Sequence, residues 1–146
     1  MVVYLTSDTI VRPGETLHIS GIIPEGAQNI EVGLGSSWND LSFYMEVRFN
    51  SNQVVFNTRV NGQWEHQENI QPNPYNTGGG FEVSVVYTKF NYVVLMPGGA
   101  RFEFGNRNAT VNTKWLSVRD DLELTGFTVK PTDSVGSSSC NVKASK

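Results

Sequence analysis

Apolar and polar residues alternate in short runs along this chain, and turn residues separate the runs. TLHISGII follows RPGE, NIEVGLG follows PEGAQ, and LSFYMEVRF follows SSWND. Further on, QVVFNTRV follows NSN, FEVSVVYT follows NTGGG, and FNYVVLM ends at PGG. ARFEFG follows that PGG, and LELTGFTVK comes last. A period of two places alternate side chains on opposite faces of a strand. Gly and Pro at the junctions supply the backbone angles that tight turns need. No window carries apolar residues at helical spacing behind a cap. The one exception entertained is KWLSVRDD, read as a short helical or 3₁₀ turn. The pattern predicts an all-β fold, a sandwich or a barrel.

Each strand can be read by face. In residues 43 to 49, Phe43, Met45, Val47 and Phe49 share one face, and Tyr44, Glu46 and Arg48 share the other. The first set is apolar and predicts the core side. The next strand repeats the division, with Val54 and Phe56 inward and Val55 and Asn57 outward. The short loop between these strands makes them antiparallel neighbours, so their outward residues form one patch. Past the turn NGQ stands Trp64, amid Gln63, Glu65 and His66. An aromatic ring beside planar donors and acceptors is the constellation that holds a sugar. The ring takes the C–H face of a pyranose, and Arg, Asn, Glu and Gln bracket its hydroxyls. The bland alternative is a solvated face with a Glu46–Arg48 ion pair.

Totals narrow the choices. The 146 residues suit one domain. Charged residues are sparse at 17%, and the net charge of −3 comes without a basic run, which disfavours nucleic acid as a partner. No apolar run is long enough for membrane insertion through a helix, and the first residues lack the basic start and apolar stretch of a signal peptide. The single cysteine, Cys140, excludes an internal disulfide and fits a reducing compartment. The histidines, His18 and His66, stand far apart, so neither a metal site nor a cofactor is expected. From about Thr132 the composition turns Ser-rich and apolar-poor, which divides the chain into a domain at 1–131 and a flexible tail at 132–146. Asn108-Ala-Thr110 is a glycosylation sequon, expected to stay bare in a leaderless protein. Glu46, Glu65 and Glu68 could be imagined as glycosidase carboxylates, but no nucleophile–base pair accompanies them, and an enzyme is not expected.

Several stretches in order resemble the galectins: RPGE, NIEVGLG, SFYMEVRF, VVFNT, Trp64 with the acidic residues after it, VSVVYTKFNYVVLMPGGARFEFGNR and LSVRDDLELTGFTV. The resemblance covers roughly residues 3 to 130. It implies a two-sheet antiparallel jelly-roll sandwich of about eleven strands. It also implies metal-independent binding of glycans, usually β-galactosides, on the concave face of one sheet. The implied location is cytoplasmic, with export to the extracellular space that uses no signal peptide. Galectins of one domain often form a homodimer through their terminal strands, here Val2 to Ile10 and Leu124 to Val129.

Residue by residue the match is mixed. The family's sugar-binding strand reads His-x-Asn-Pro-Arg, and the matching positions hold Tyr44, Glu46, Val47 and Arg48. The next strand's Asn is kept as Asn57, and the stacking Trp as Trp64. The family's Trp-x-x-Glu-x-Arg reads Trp64, Gln67 and Asn69, with Glu68 one place late for the acidic role unless the strand bulges. Arg48, Asn57 and Trp64 are thus kept, and the other four positions differ. The expected result is a rewritten network in which Glu46 holds Arg48. The expectation is a lectin with altered or weakened β-galactoside specificity. The alternative is a galectin-fold interaction module that no longer binds sugar.

Overall fold

A computed structural model describes residues 2–132. Two antiparallel sheets enclose one core, as the alternation predicts. The seven-stranded sheet runs in the order β1, β11, β3, β4, β5, β6, with β7 also paired to β5. Its strands are β1 (Val2–Thr6), β3 (Asn29–Ser37), β4 (Asp40–Arg48), β5 (Gln53–Val60), β6 (Gln63–Trp64), β7 (Glu68–Ile70) and β11 (Trp115–Asp120). The five-stranded sheet runs β10 (Arg101–Gly105), β9 (Asn91–Leu95), β8 (Gly80–Tyr87), β2 (Glu15–Ile22), β12 (Glu123–Pro131). Twelve strands are described, against the eleven or so expected. The domain boundary expected at residue 131 falls at the end of β12. Thr132 is still tied down, its N–H donating to the Gly14 carbonyl at 2.8 Å. The tail and Cys140 lie outside the described residues.

KWLSVRDD corrects the sequence reading. It contains strand β11, held between β1 and β3 with Leu116 opposite Leu34 and Val118 opposite Val32. Only two apolar residues alternate in it, too few to reveal a strand without its neighbours. Trp115, Ser117 and Arg119 take the other face. Both of its edges are hydrogen-bonded and its apolar side is sealed in the sandwich, which outweighs the weak local signal.

The inward residues meet as expected. Phe43, Met45, Val54 and Phe56 are fully buried against Phe81, Tyr92, Val94 and Phe104 of the opposing sheet. Phe43 lies 5.2 Å from Tyr92, ring centre to ring centre. Phe56 stacks on Phe102 at 4.4 Å. Full burial of such side chains supplies about 1.5–3 kcal/mol each. A polar link crosses this core between the Ser42 and Tyr92 hydroxyls at 2.7 Å.

Ser42 is also where β4 departs from simple alternation. The register steps from Phe43 opposite Leu34 to Leu41 opposite Gly35, so β4 carries one extra residue. The pairing with β5 shows the same offset. A bulge of this kind reverses the facing of everything before it. Leu41 therefore leaves the sandwich core and is buried on the outer face of the sheet, its methyls against Gly33. At Gly35 a Cβ would lie 2.1 Å from the Asp40 carbonyl oxygen, so only glycine admits this close hairpin.

Candidate functional site

Strands β4 and β5 pair with Tyr44 opposite Asn57, Glu46 opposite Val55 and Arg48 opposite Gln53. The expected outward patch therefore forms on the outer face of the seven-stranded sheet. It is not loosely solvated. Tyr44 is only 6% exposed, Glu46 9% and Asn57 6%. These polar side chains cover one another.

Their hydrogen bonds explain how. Arg48 Nε donates to Glu46 Oε1 at 2.7 Å, and Asn29 Nδ2 donates to Glu46 Oε2 at 3.0 Å. Glu46 thus orients Arg48, as expected, and the rest of the guanidinium fork has no partner among the described residues. Asn57 Oδ1 accepts from the Thr58 N–H at 2.7 Å, which points its amide NH₂ outward as a donor. The Tyr44 hydroxyl donates to Glu31 Oε1 at 2.6 Å. Burial raises the Tyr44 hydroxyl well above its usual range, with the hydrogen bond to Glu31 adding to this. Glu31 is pushed up to about 7, first by burial, then by a hydrogen bond with Asp120, against the opposing pull of the Tyr44 hydroxyl. Carboxylates crowded at Glu31, Glu46 and Asp120 disfavour a further charge there.

Trp64 on β6 is 43% exposed, an uncommon state for so large a ring. It lies 4.4 Å from the Tyr44 ring and 5.9 Å, edge-on, from Trp38. Between Trp64 and the Arg48–Glu46 pair opens a cavity of about 310 Å³. Val55 and Asn57 belong to it, with Tyr44, Glu65 and Gln67 completing the lining. Its chemistry is that of a polyol site: an aromatic wall, a planar cationic donor, an amide donor, and a carboxylate and an amide as acceptors.

The structure thus brings Tyr44, Glu46, Arg48, Asn57, Trp64 and Gln67 to one cavity. Asn69 shares the outer face, opposite Val55, but lies outside the cavity lining and donates from Nδ2 to Gln53 Oε1 at 2.7 Å. Glu68 does not join. It stands opposite Phe56, and the β5–β7 pairing carries no bulge to turn it round. Its Oε2 instead accepts from Arg107 Nη2 at 2.7 Å, on the other side of the strand. That is a correction to the expectation for Glu68, and its cause is the period of two.

Sequence reasoning missed Trp38, Glu31, Arg59 and Arg119. Trp38 sits in the two-residue turn after β3, and its indole covers the outer face beside Tyr44 and Trp64. An aromatic residue in the polar turn SSWND was the available signal. The arginines could not be placed without the register of β11 and the end of β5.

Comparisons with known proteins bear on the fold and the family. Galectin-1 of Ovis aries is 26% identical over 124 residues, covering 82% of this chain and 92% of that protein. Galectin-2 of Homo sapiens is 25% identical, covering 82% and 91%. The fold matches the crystal structure of chicken galectin 2 at a TM-score of 0.83 and 24% identity, over 87% of this chain and 97% of that one. It also matches a toad ovary galectin in complex with thio-digalactose, at 0.82 and 22%, over 88% and 98%. A family model described as galactoside-binding lectin matches residues 3–129, so this chain belongs to the galectin family of galactoside-binding lectins.

Proposed function

We propose that the protein binds glycans in the Trp64 cavity, without metal and without catalysis, and that its β-galactoside specificity is altered or weakened. The observation that carries the reading is the exposed Trp64 ring beside the buried Glu46 carboxylate that holds Arg48, and the outward amide of Asn57. A large ring left open to water is an aggregation liability unless something stacks on it.

The altered specificity rests on three departures. The Tyr44 hydroxyl is engaged by Glu31, so Tyr44 contributes ring rather than donor to the cavity. Gln67 lines the cavity where the family pattern has a carboxylate. Asn69 is occupied by Gln53. Each lost charge-assisted hydrogen bond costs about 1.5–3 kcal/mol. Lactose affinity should therefore be weaker than micromolar.

Assembly adds to this reading. β1 and β12 are edge strands, and they leave Val2, Tyr4 and Phe127 open to solvent. A homodimer joined at these edges would carry two cavities and cross-link glycoconjugates. Light scattering would give twice the monomer mass, and a strictly monomeric protein would remove the cross-linking part.

The deciding experiment is a glycan array probed with wild type and Trp64→Ala, with lactose as competitor. Binding that disappears in Trp64→Ala supports the lectin and names its sugar. A folded protein that leaves the array blank points to the sugar-blind interaction module. Micromolar lactose binding lost in Trp64→Ala would retain the lectin and overturn the altered specificity.

A further inference from the structure

Two arginines on the same face have no counter-ion among the described residues. The Arg59 guanidinium carbon lies 4.9 Å from the centre of the Trp38 ring, and that of Arg119 lies 4.3 Å from it. They come from β5 and β11, on either side of the β3–β4 hairpin that carries Trp38. The indole therefore bridges two cations across that hairpin. Each Nε is buried and lacks a hydrogen-bond partner. Neither guanidinium forms an ion pair among the described residues, whereas Arg48 on the same face is paired with Glu46 at 2.7 Å.

The nearby carboxylates are spent elsewhere. Glu31 is the cross-strand neighbour of Arg119, yet it accepts from the Tyr44 hydroxyl and shares a hydrogen bond with Asp120. Asp40, at the start of β4, accepts from the Asn61 N–H at 3.0 Å. Half-buried guanidinium groups without a counter-ion are costly. Stacking on Trp38 offsets part of that cost and fixes the plane of each fork. What remains are two guanidinium groups with N–H donors to spare, beside the Trp64 cavity. Arg59 touches both sites, since it also lies 5.0 Å from the Trp64 ring.

We propose that the Arg59–Trp38–Arg119 cluster is an anion subsite that selects glycans bearing a sulfate or a carboxylate. This rests on the glycan-binding reading of the adjoining cavity and names the substrate class for it. A planar guanidinium matches both groups bidentately. A sugar against Trp64 would bring an anionic substituent to Arg59 first. A following acidic residue of the glycan would reach Arg119.

The test is an array of matched sets, in which each neutral oligosaccharide stands beside its O-sulfated and its sialylated form. The quantity read is the anionic-to-neutral binding ratio, which a general weakening of the site does not change. Wild type should favour at least one anionic form by about tenfold, and the preference should shrink as salt rises. The sulfated and sialylated arms show which anion is read. The double variant Arg59→Met, Arg119→Met keeps bulk against Trp38 and deletes the charge, and its ratio should fall to near one. Replacement of both by Lys restores charge without the fork and should recover part of the preference.

A wild-type ratio near one in both arms overturns the subsite and leaves the lectin reading standing. A high ratio that survives in the double variant overturns the assignment to these arginines. No binding of any glycan by the folded protein overturns both readings. Anionic binding that persists in Trp64→Ala and vanishes in the double variant supports the subsite and overturns the role of the Trp64 cavity.

Discussion

The two sheets present outer faces of opposite character. On the five-stranded sheet, His18 Nδ1 is 2.8 Å from Ser84 Oγ, and its Nε2 is 3.3 Å from Glu82. Both side chains are open to water, His18 at 38% and Glu82 at 72%. A hollow on that face reaches about 480 Å³, more than the 310 Å³ beside Trp64. Volume therefore does not distinguish the faces. What does is the treatment of polar groups. The seven-stranded sheet buries Tyr44, Glu46, Asn57 and Ser117 and leaves Arg59 Nε, Arg119 Nε, Trp115 Nε1 and Ser117 Oγ unpartnered. Polar groups that are buried, oriented and incompletely satisfied are costly in a structural surface and useful in a binding one. The face over His18 meets no such cost, and it reads as a solvated surface.

Substitutions can press on this contrast, and the largest effect should strike both faces alike. Phe56→Ala empties the core behind Asn57 and should cost about 3–5 kcal/mol in denaturant unfolding. Both faces rest on that core, so a small loss would mean that the sheets are less tightly coupled than their packing indicates. Trp64→Ala separates the faces. It should lower glycan affinity by at least about tenfold in calorimetry while leaving the fold intact. Unchanged affinity would remove the distinction drawn here.

Glu46→Gln tests the buried polar network. It withdraws the anion that Arg48 and Asn29 share, at a cost of about 1 kcal/mol. This is discounted because Arg48 remains 38% exposed. Binding should weaken along with stability, since Arg48 loses its orientation. A change in stability alone would make the pair structural.

A smaller effect concerns pH. Glu31 holds its proton more firmly in the folded state than unfolded, with a value near 7 against an ordinary 4.5. Its stabilising contribution is complete below about 4.5 and is lost as the pH rises through about 7. Glu31→Gln keeps an acceptor for the Tyr44 hydroxyl and removes the titration. The melting temperature of wild type should fall relative to Glu31→Gln between pH 5 and 7.5, and equal slopes would contradict this. The smallest effect is expected on the other sheet. His18→Ala should change stability by no more than about 0.5 kcal/mol and leave glycan binding unaltered.

Much of the site was legible because facing in a strand depends only on parity. Tyr44, Glu46 and Arg48 had to share a face once Phe43, Met45 and Val47 were inward. Asn57 joined them by the same rule from a short loop. Glu68 shares the parity of Trp64, so parity could not exclude it; the register of β7, which sets Glu68 opposite Phe56, does. Trp38, Arg59 and Arg119 were illegible for a different reason. They meet across β11, β3, β4 and β5, and β11 carried too weak an apolar pattern to be recognised as a strand.

By itself the sequence determined the class of the fold, most of the strands, the inward residues and the side of the sheet on which the polar cluster stands. These follow from local rules, the period of two and the backbone needs of turns. Only the tertiary structure decided which polar groups satisfy one another. Whether Glu31 or the cavity receives the Tyr44 hydroxyl depends on the register of β3 against β4. Whether Leu41 enters the core depends on the bulge at Ser42. That two arginines remain without a counter-ion among the described residues depends on strands far apart in sequence. Hydrogen bonds and ion pairs act over a few ångströms, and only the folded sheet sets distances on that scale between distant residues.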